Sequence, residues 1–551
     1  MTASHQQKTR LWRTGLVVGM VLIVSIAGVV ALVHASSSSP TATTAPRAAV
    51  RPTTFLGPTG VEASWILKEN KRRGTTSWRI TPGTPENQIM GFSDLNYAKV
   101  GDVANLFVST LSPIFTVTAY RMGWYRGLGA RAVWTSPMVT GQVQPVCPLT
   151  AGINMVSCAN WTTSLAMPIT KAFVQGDYLL KLTGSGGQEG YIPLTVWDPT
   201  SHAAYLVINR TFTEVGWNTY GGYSFYQGTG PCPAGSSAYP VCNRARVLSL
   251  DRPYDSGYGA SDFFGNEYPL IAFCEEHGLD VTYVTDLTLD EHPAIAVAHR
   301  AILSLGHDET WSYDERQAVV NAKAQGVNLI FFGAAGVLRH VRLEASPIGP
   351  DREEVNYRDS AADPLNGTGD PMQVTGNTFT SPPTNLPPES LTGELYSGYL
   401  NGAANVPFVV ADSTSWAFRD TGLKNGSQLP GVIMSDVDHI SGSRLMPTNI
   451  QVLGHSPIPL QLVYTNQGTW GGSTYSDMTY YSDPASKAGV LDTGTVNWIY
   501  SMTPCMPTTP GCAAAQVQKI TGNILWLFGQ GPSGASTPSI ANWQAIKPAG
   551  T

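Results

Sequence analysis

The spacing of apolar and polar positions changes character along the chain. Residues 15–33 form an apolar run without charge, preceded by Lys8, Arg10 and Arg13, which reads as an export signal or an N-terminal membrane anchor. Val33-His34-Ala35 resembles a small-x-small cleavage site, while the run itself has about the length needed to span a bilayer at ~1.5 Å per residue, so cleavage and anchoring both stay open. Residues 36–54 are rich in Ser, Thr, Ala and Pro, cannot bury a core, and read as a flexible linker. Between residues 55 and 200 short alternating apolar runs are separated by Gly, Pro and Asn, the clearest being the run from Phe115 to Tyr125. That period of two predicts a β-sandwich. From residue 201 the pattern becomes short apolar runs at 204–208, 246–250, 281–284, 301–305 and 328–332. Helical spacing lies between them at 262–277 and 313–325, with Gly278 and Gly326 at the helix ends. Strands alternating with helices predict an α/β domain with a mainly parallel, doubly wound sheet. Residues 359–407, rich in Pro, Gly, Thr and Asn, read as a long surface excursion, and apolar strands return at 408–411, 431–434 and 458–464 before a last helix at 513–528.

The domain boundaries that follow are 1–35 for the signal or anchor, 36–54 for the linker, 55–200 for a sandwich of immunoglobulin-like topology, 201–530 for the α/β domain and 531–551 for a tail. A chain of 551 residues exceeds one ordinary core and supports this division. With 13% charged residues, a net charge of −6 and no Lys/Arg stripe in its body, the chain offers nothing to a nucleic acid. Its seven cysteines suit an exported protein: Cys147 with Cys158, Cys232 with Cys242, and Cys505 with Cys512 are close pairs in loop-like sequence, predicting three local disulfides. Cys274 is left on the apolar face of a helix, where a buried, inert thiol is expected.

Candidate chemistry concentrates where the 301–305 strand empties into Gly306-His307-Asp308-Glu309. Ligands bind beyond the carboxyl ends of strands in open α/β sheets, and three titratable groups there can hold a metal or move protons. The same carboxylates also suit the start of a helix, since Ser312-Tyr313-Asp314-Glu315 has the form of a capping box. Two tyrosine-bearing segments precede this strand end: Trp217-Asn218-Thr219-Tyr220-Gly221-Gly222-Tyr223-Ser224-Phe225-Tyr226 and Asp251-Arg252-Pro253-Tyr254.

These segments, with Val341-Arg342-Leu343-Glu344, Pro388-Glu389-Ser390-Leu391-Thr392-Gly393 and Gly489-Val490-Leu491-Asp492-Thr493-Gly494, resemble in order the C-terminal domain of the N,N-dimethylformamidase large (beta) subunit family across roughly residues 204–528. The resemblance implies a class I glutamine amidotransferase-like α/β fold and a mononuclear ferric iron held by Tyr220, Tyr254 and Glu309, with His307 beside it. A hard, Lewis-acidic ion is what phenolate ligands require, and it would activate water against a small amide. The family's catalytic glutamate falls on Asp436 in Met434-Ser435-Asp436-Val437-Asp438, one methylene shorter. The expected protein is thus an exported or membrane-tethered hydrolase of a small linear amide. The competing reading is a non-catalytic cell-surface protein binding glycans or protein partners. Oligomeric state is not legible in the sequence.

Overall fold

In the computed structural model, residues 53–232, 241–400, 406–459, 462–464, 475–505 and 512–546 are described. The expected signal or anchor at 1–35 and most of the linker lie outside them. Among the described residues no helix is long and apolar enough to cross a membrane, so the expectation of a membrane-anchored protein is corrected to that finding: neither a transmembrane helix nor an extracytoplasmic location has structural support, and the 15–33 run is not described.

Alternating apolar positions do fold as strands in the first half. Ile114–Met122, Gly176–Gly184 and Glu189–Val196 pair antiparallel. A second sheet of Ile89–Ser93, Val103–Thr110 and Leu165–Pro168 lies against them. Leu106, Val108, Phe115, Val117, Leu180 and Leu194 from both sheets form one core.

The centre of the molecule is a seven-stranded sheet built from β1 (Tyr205–Asn209), β2 (Val281–Thr285), β3 (Ala301–Gly306), β4 (Asn328–Gly333), β5 (Gln451–Pro457), β6 (Tyr475–Ser482) and β7 (Gly489–Asp492), in the order β2-β1-β3-β4-β7-β6-β5. Parallel pairing runs from β2 to β7, and β6 and β5 then add antiparallel. The expectation of a mainly parallel, doubly wound α/β domain is corrected: among the described residues strand makes up 31% and helix 22%, and the remaining strands are spread over many small mixed sheets. The 246–250 run does not join the central sheet; Val247–Ser249 pairs antiparallel with Glu353–Val355 in a separate four-stranded sheet. The physical reason is that β5 and β6 carry polar residues such as His455, Asp477 and Thr479 and fall outside the apolar runs, so the pattern gives no sign of these strands. Yet a short turn between β6 and β7 permits the antiparallel hairpin.

The helices that pack on this sheet include α1 (Tyr268–Glu276), α2 (Tyr313–Ala324) and α3 (Ala514–Phe528). The predicted 262–277 helix is broken at Glu267 into Phe263–Asn266 and α1. All three expected disulfides are present. Cys274 is buried, and burial pushes its thiol far above the ordinary range. Residues 52–551 form one compact unit, tied across its parts by the fully buried Arg121–Glu275 ion pair at 2.7 Å.

Candidate active site

β3 ends at Gly306, whose φ of +52° and whose missing Cβ, which would lie 2.5 Å from that of Asn266, turn the chain sharply out of the sheet. His307, Asp308 and Glu309 follow on this turn. The next strand, Thr310–Ser312, runs parallel to Arg339–Glu344, which brings Arg339 beside Glu309.

Asp308 serves the fold. Its carboxylate accepts from Ser304 Oγ at 2.7 Å and its carbonyl from Trp311 Nε1 at 3.0 Å, while burial pushes its carboxyl up to about 6. Glu309 is the centre of the site. One oxygen is 3.0 Å from Arg339 Nε; the other accepts from Trp217 Nε1 at 3.3 Å and from the Tyr226 hydroxyl. Burial pushes this carboxyl up, but Arg339 and His307 outweigh it and hold it below the usual range. His307 Nε2 lies 3.4 Å from Glu309 and 3.9 Å from Asp436, yet is buried without an aligned hydrogen-bond partner. The Arg210 guanidinium donates to the His307 carbonyl at 3.1 Å and steadies that turn.

Asp436 arrives from the opposite side, on the strand Asp436–His439 that pairs with Leu395–Leu400. Ser435, with φ of +60°, precedes it. Burial and the nearby Glu309 charge raise its carboxyl, with His307 and the Tyr396 hydroxyl opposing. Burial and the Asp436 carboxylate in turn raise Tyr396. The Trp217 ring stacks on Tyr226 with centroids 3.8 Å apart and is 45% exposed, forming the solvent edge of the site.

The structure therefore brings together Glu309, His307 and Asp436. Tyr220 and Tyr254 lie in two other environments. The Tyr220 hydroxyl is 3.8 Å from Cys147 Sγ, within a cluster of Phe92, Phe107 and Trp161. Tyr254 lines a cavity of about 60 Å³ with Asp177, Arg210, Glu214 and Glu267, and burial followed by the charges of Glu214, Asp286, Glu267 and Glu354 drives its phenol far above its ordinary value. The phenols that reach the Glu309 site are Tyr226 and Tyr396, neither singled out in the sequence. Tyr226 closes the same segment that holds Tyr220, and Tyr396 stands just beyond Thr392-Gly393, so both were within reach of motif reading but indistinguishable from their neighbours.

Among the described residues no group of three or more His, Cys, Asp or Glu side chains is placed to hold a metal ion. The expectation of an evident metal-binding site is corrected on that finding. The donors present at the site are of mixed chemistry instead, two phenols and two carboxylates around one imidazole.

A buried carboxylate paired with arginine, an imidazole between two acids, and an exposed aromatic edge thus meet at this strand end. The chain belongs to the N,N-dimethylformamidase beta subunit-like C-terminal family, which matches residues 116–513. That match starts inside the first antiparallel sheet, well before residue 204 where the resemblance was expected to begin. No individually curated protein matches the chain.

Proposed function

We propose that the protein hydrolyses a small amide at the Glu309–His307–Asp436 centre. The observation that supports this most is the convergence of these three side chains from two separate strand ends. In this reading Asp436, its proton affinity raised by burial and by Glu309, takes a proton from water and passes it to the leaving amine. His307, its Nε2 free between the two acids, orients that water. Glu309 is kept ionised by Arg339, and Trp217 packs against the apolar part of the substrate.

Iron, which belongs to the family resemblance, is part of the proposal. The oxygen-rich donor set suits a hard ion: Glu309 would hold it together with Tyr226 and Tyr396, which replace Tyr220 and Tyr254 in this reading. Bound there, it would polarise the amide carbonyl and acidify water.

A screen of simple amides, following amine release by the purified full chain, tests the function. Asp436→Asn is expected to lower turnover by about 10²–10⁴, and Glu309→Gln to lower both turnover and bound iron. An active Asp436→Asn enzyme would sink the assignment. The binding-protein reading is favoured by one observation, an uncharged groove of about 390 Å³ lined by Asn87, Gln88, Trp161 and Tyr220; neutral glycans binding there, without amidase activity in any condition, would favour it.

A further inference from the structure

Behind Tyr226, on the face not covered by Trp217, stands Arg358. Its guanidinium carbon lies 4.4 Å from the Tyr226 ring centroid. Three features set this arginine apart. Its Nε and Nη2 are buried without any hydrogen-bond partner, and a guanidinium stripped of water in this way is costly unless an acceptor meets it. Its backbone is left-handed, with φ of +54°, a sparsely populated conformation for a residue with a side chain. And its charge is answered only in part: the Tyr226 hydroxyl meets it, while Glu309, the acid whose field reaches it, is already engaged by Arg339 at 3.0 Å.

Other cations gather here. Arg339 and Arg244 act on the same group. Arg244 spends its own N–H groups on the backbone carbonyls of Ala245, Asn356 and Tyr357. The edge of the site around Tyr226 is thus a dry, cationic place with free donors in a planar fork, the geometry that carboxylates fit.

We infer that Arg358 recognises a carboxylate on the substrate, so that the amide accepted by this site is an anionic one, of the N-acyl amino acid kind, and not a neutral formamide. The inference rests on the amidase reading of the Glu309 centre for its amide part and on Arg358 alone for its anionic part. In the bound arrangement the carboxylate and the amide flank the Tyr226 ring.

N-acetylglycine and N-methylacetamide form a charged and a neutral pair for the test. Calorimetric titration of the full-length protein is expected to show binding of N-acetylglycine that weakens about tenfold or more in Arg358→Gln and is partly retained in Arg358→Lys, which keeps the charge and loses the fork. N-methylacetamide should bind equally to all three. Equal binding of N-acetylglycine to wild type and Arg358→Gln, with both folded by circular dichroism, overturns the inference. Hydrolysis measured in parallel separates the two claims. Arg358-dependent binding without turnover of either amide leaves the carboxylate site standing and removes the amidase reading. Turnover of the neutral amide alone, indifferent to Arg358→Gln, does the reverse.

Discussion

Arg121 shows how much a single side chain can carry. Its guanidinium meets Glu275 through two contacts, at 2.7 and 3.1 Å, and also donates to the Tyr125 hydroxyl. Both partners are completely excluded from water. Removing one leaves an uncompensated buried charge, a loss of about 3–5 kcal/mol, whereas removing both together costs much less. Arg121→Met should therefore lower the melting temperature sharply, and Arg121→Met with Glu275→Leu should recover a good part of it; a double variant no more stable than the single one would contradict this. Asp177 makes a prediction about pH. Burial pushes its carboxyl up to about 7, against the hydrogen bonds it accepts from Asn209 and Thr195. The folded state then binds a proton that the unfolded chain, with an ordinary carboxyl near 3.8, has released. Stability from this group is greatest below the unfolded value and is lost as pH rises from about 4 to about 7. Asp177→Asn should flatten that part of the melting-temperature profile, and an unchanged slope would count against the assignment.

At the scale of the element, α2 is entered through Ser312, whose hydroxyl accepts from the Glu315 amide at 3.0 Å. Only this half of the expected capping box forms. Glu315 does not reach back, and both its carboxyl oxygens lie buried without partners, its carboxyl raised by burial and by Asp286, Asp308 and Asp290. The cap is left to serine alone. Ser312→Ala is expected to cost about 1 kcal/mol, readable in urea denaturation as a lower midpoint at constant slope. The Cys147–Cys158 disulfide spans a sequence separation of 11. A loop of this size implies about 2–3 kcal/mol from restriction of the unfolded chain, so replacing both cysteines by serine should lower the melting temperature without changing secondary structure.

For the whole molecule, residues 52–551 behave as one compact unit. Tyr120, Met122 and Leu179 of the first antiparallel sheet share a core with Tyr205, Leu270 and Leu303. A core continuous in this way should melt in one calorimetric transition with the Arg121–Glu275 pair at its seam. Two separated transitions would show that the sandwich and the central sheet hold together independently.

The sequence by itself determined many of the local elements and pointed to part of the candidate site. Periods of two and of about 3.6 placed the Ile114–Met122 strand, β1, β3, β4, α2 and α3 close to where they occur, because burial of one face imposes its repeat on neighbouring residues. It also marked Glu309 and His307 at the end of β3, and Asp436 by motif, since a strand end is where polar groups follow apolar ones. Only the tertiary structure showed that β5 and β6 join the central sheet and in which direction, because their polar residues keep them out of the apolar runs and buried strands carry no record of parallel or antiparallel pairing. It alone separated Tyr226 from Tyr220, six positions apart in one segment. A phenol's role depends on which groups its hydroxyl reaches: Tyr226 meets Glu309, whereas the Tyr220 hydroxyl lies beside Cys147 Sγ. The same holds for Arg358 and Tyr396: their partners come from distant segments, and contacts between distant segments are set by packing, which a local pattern does not encode.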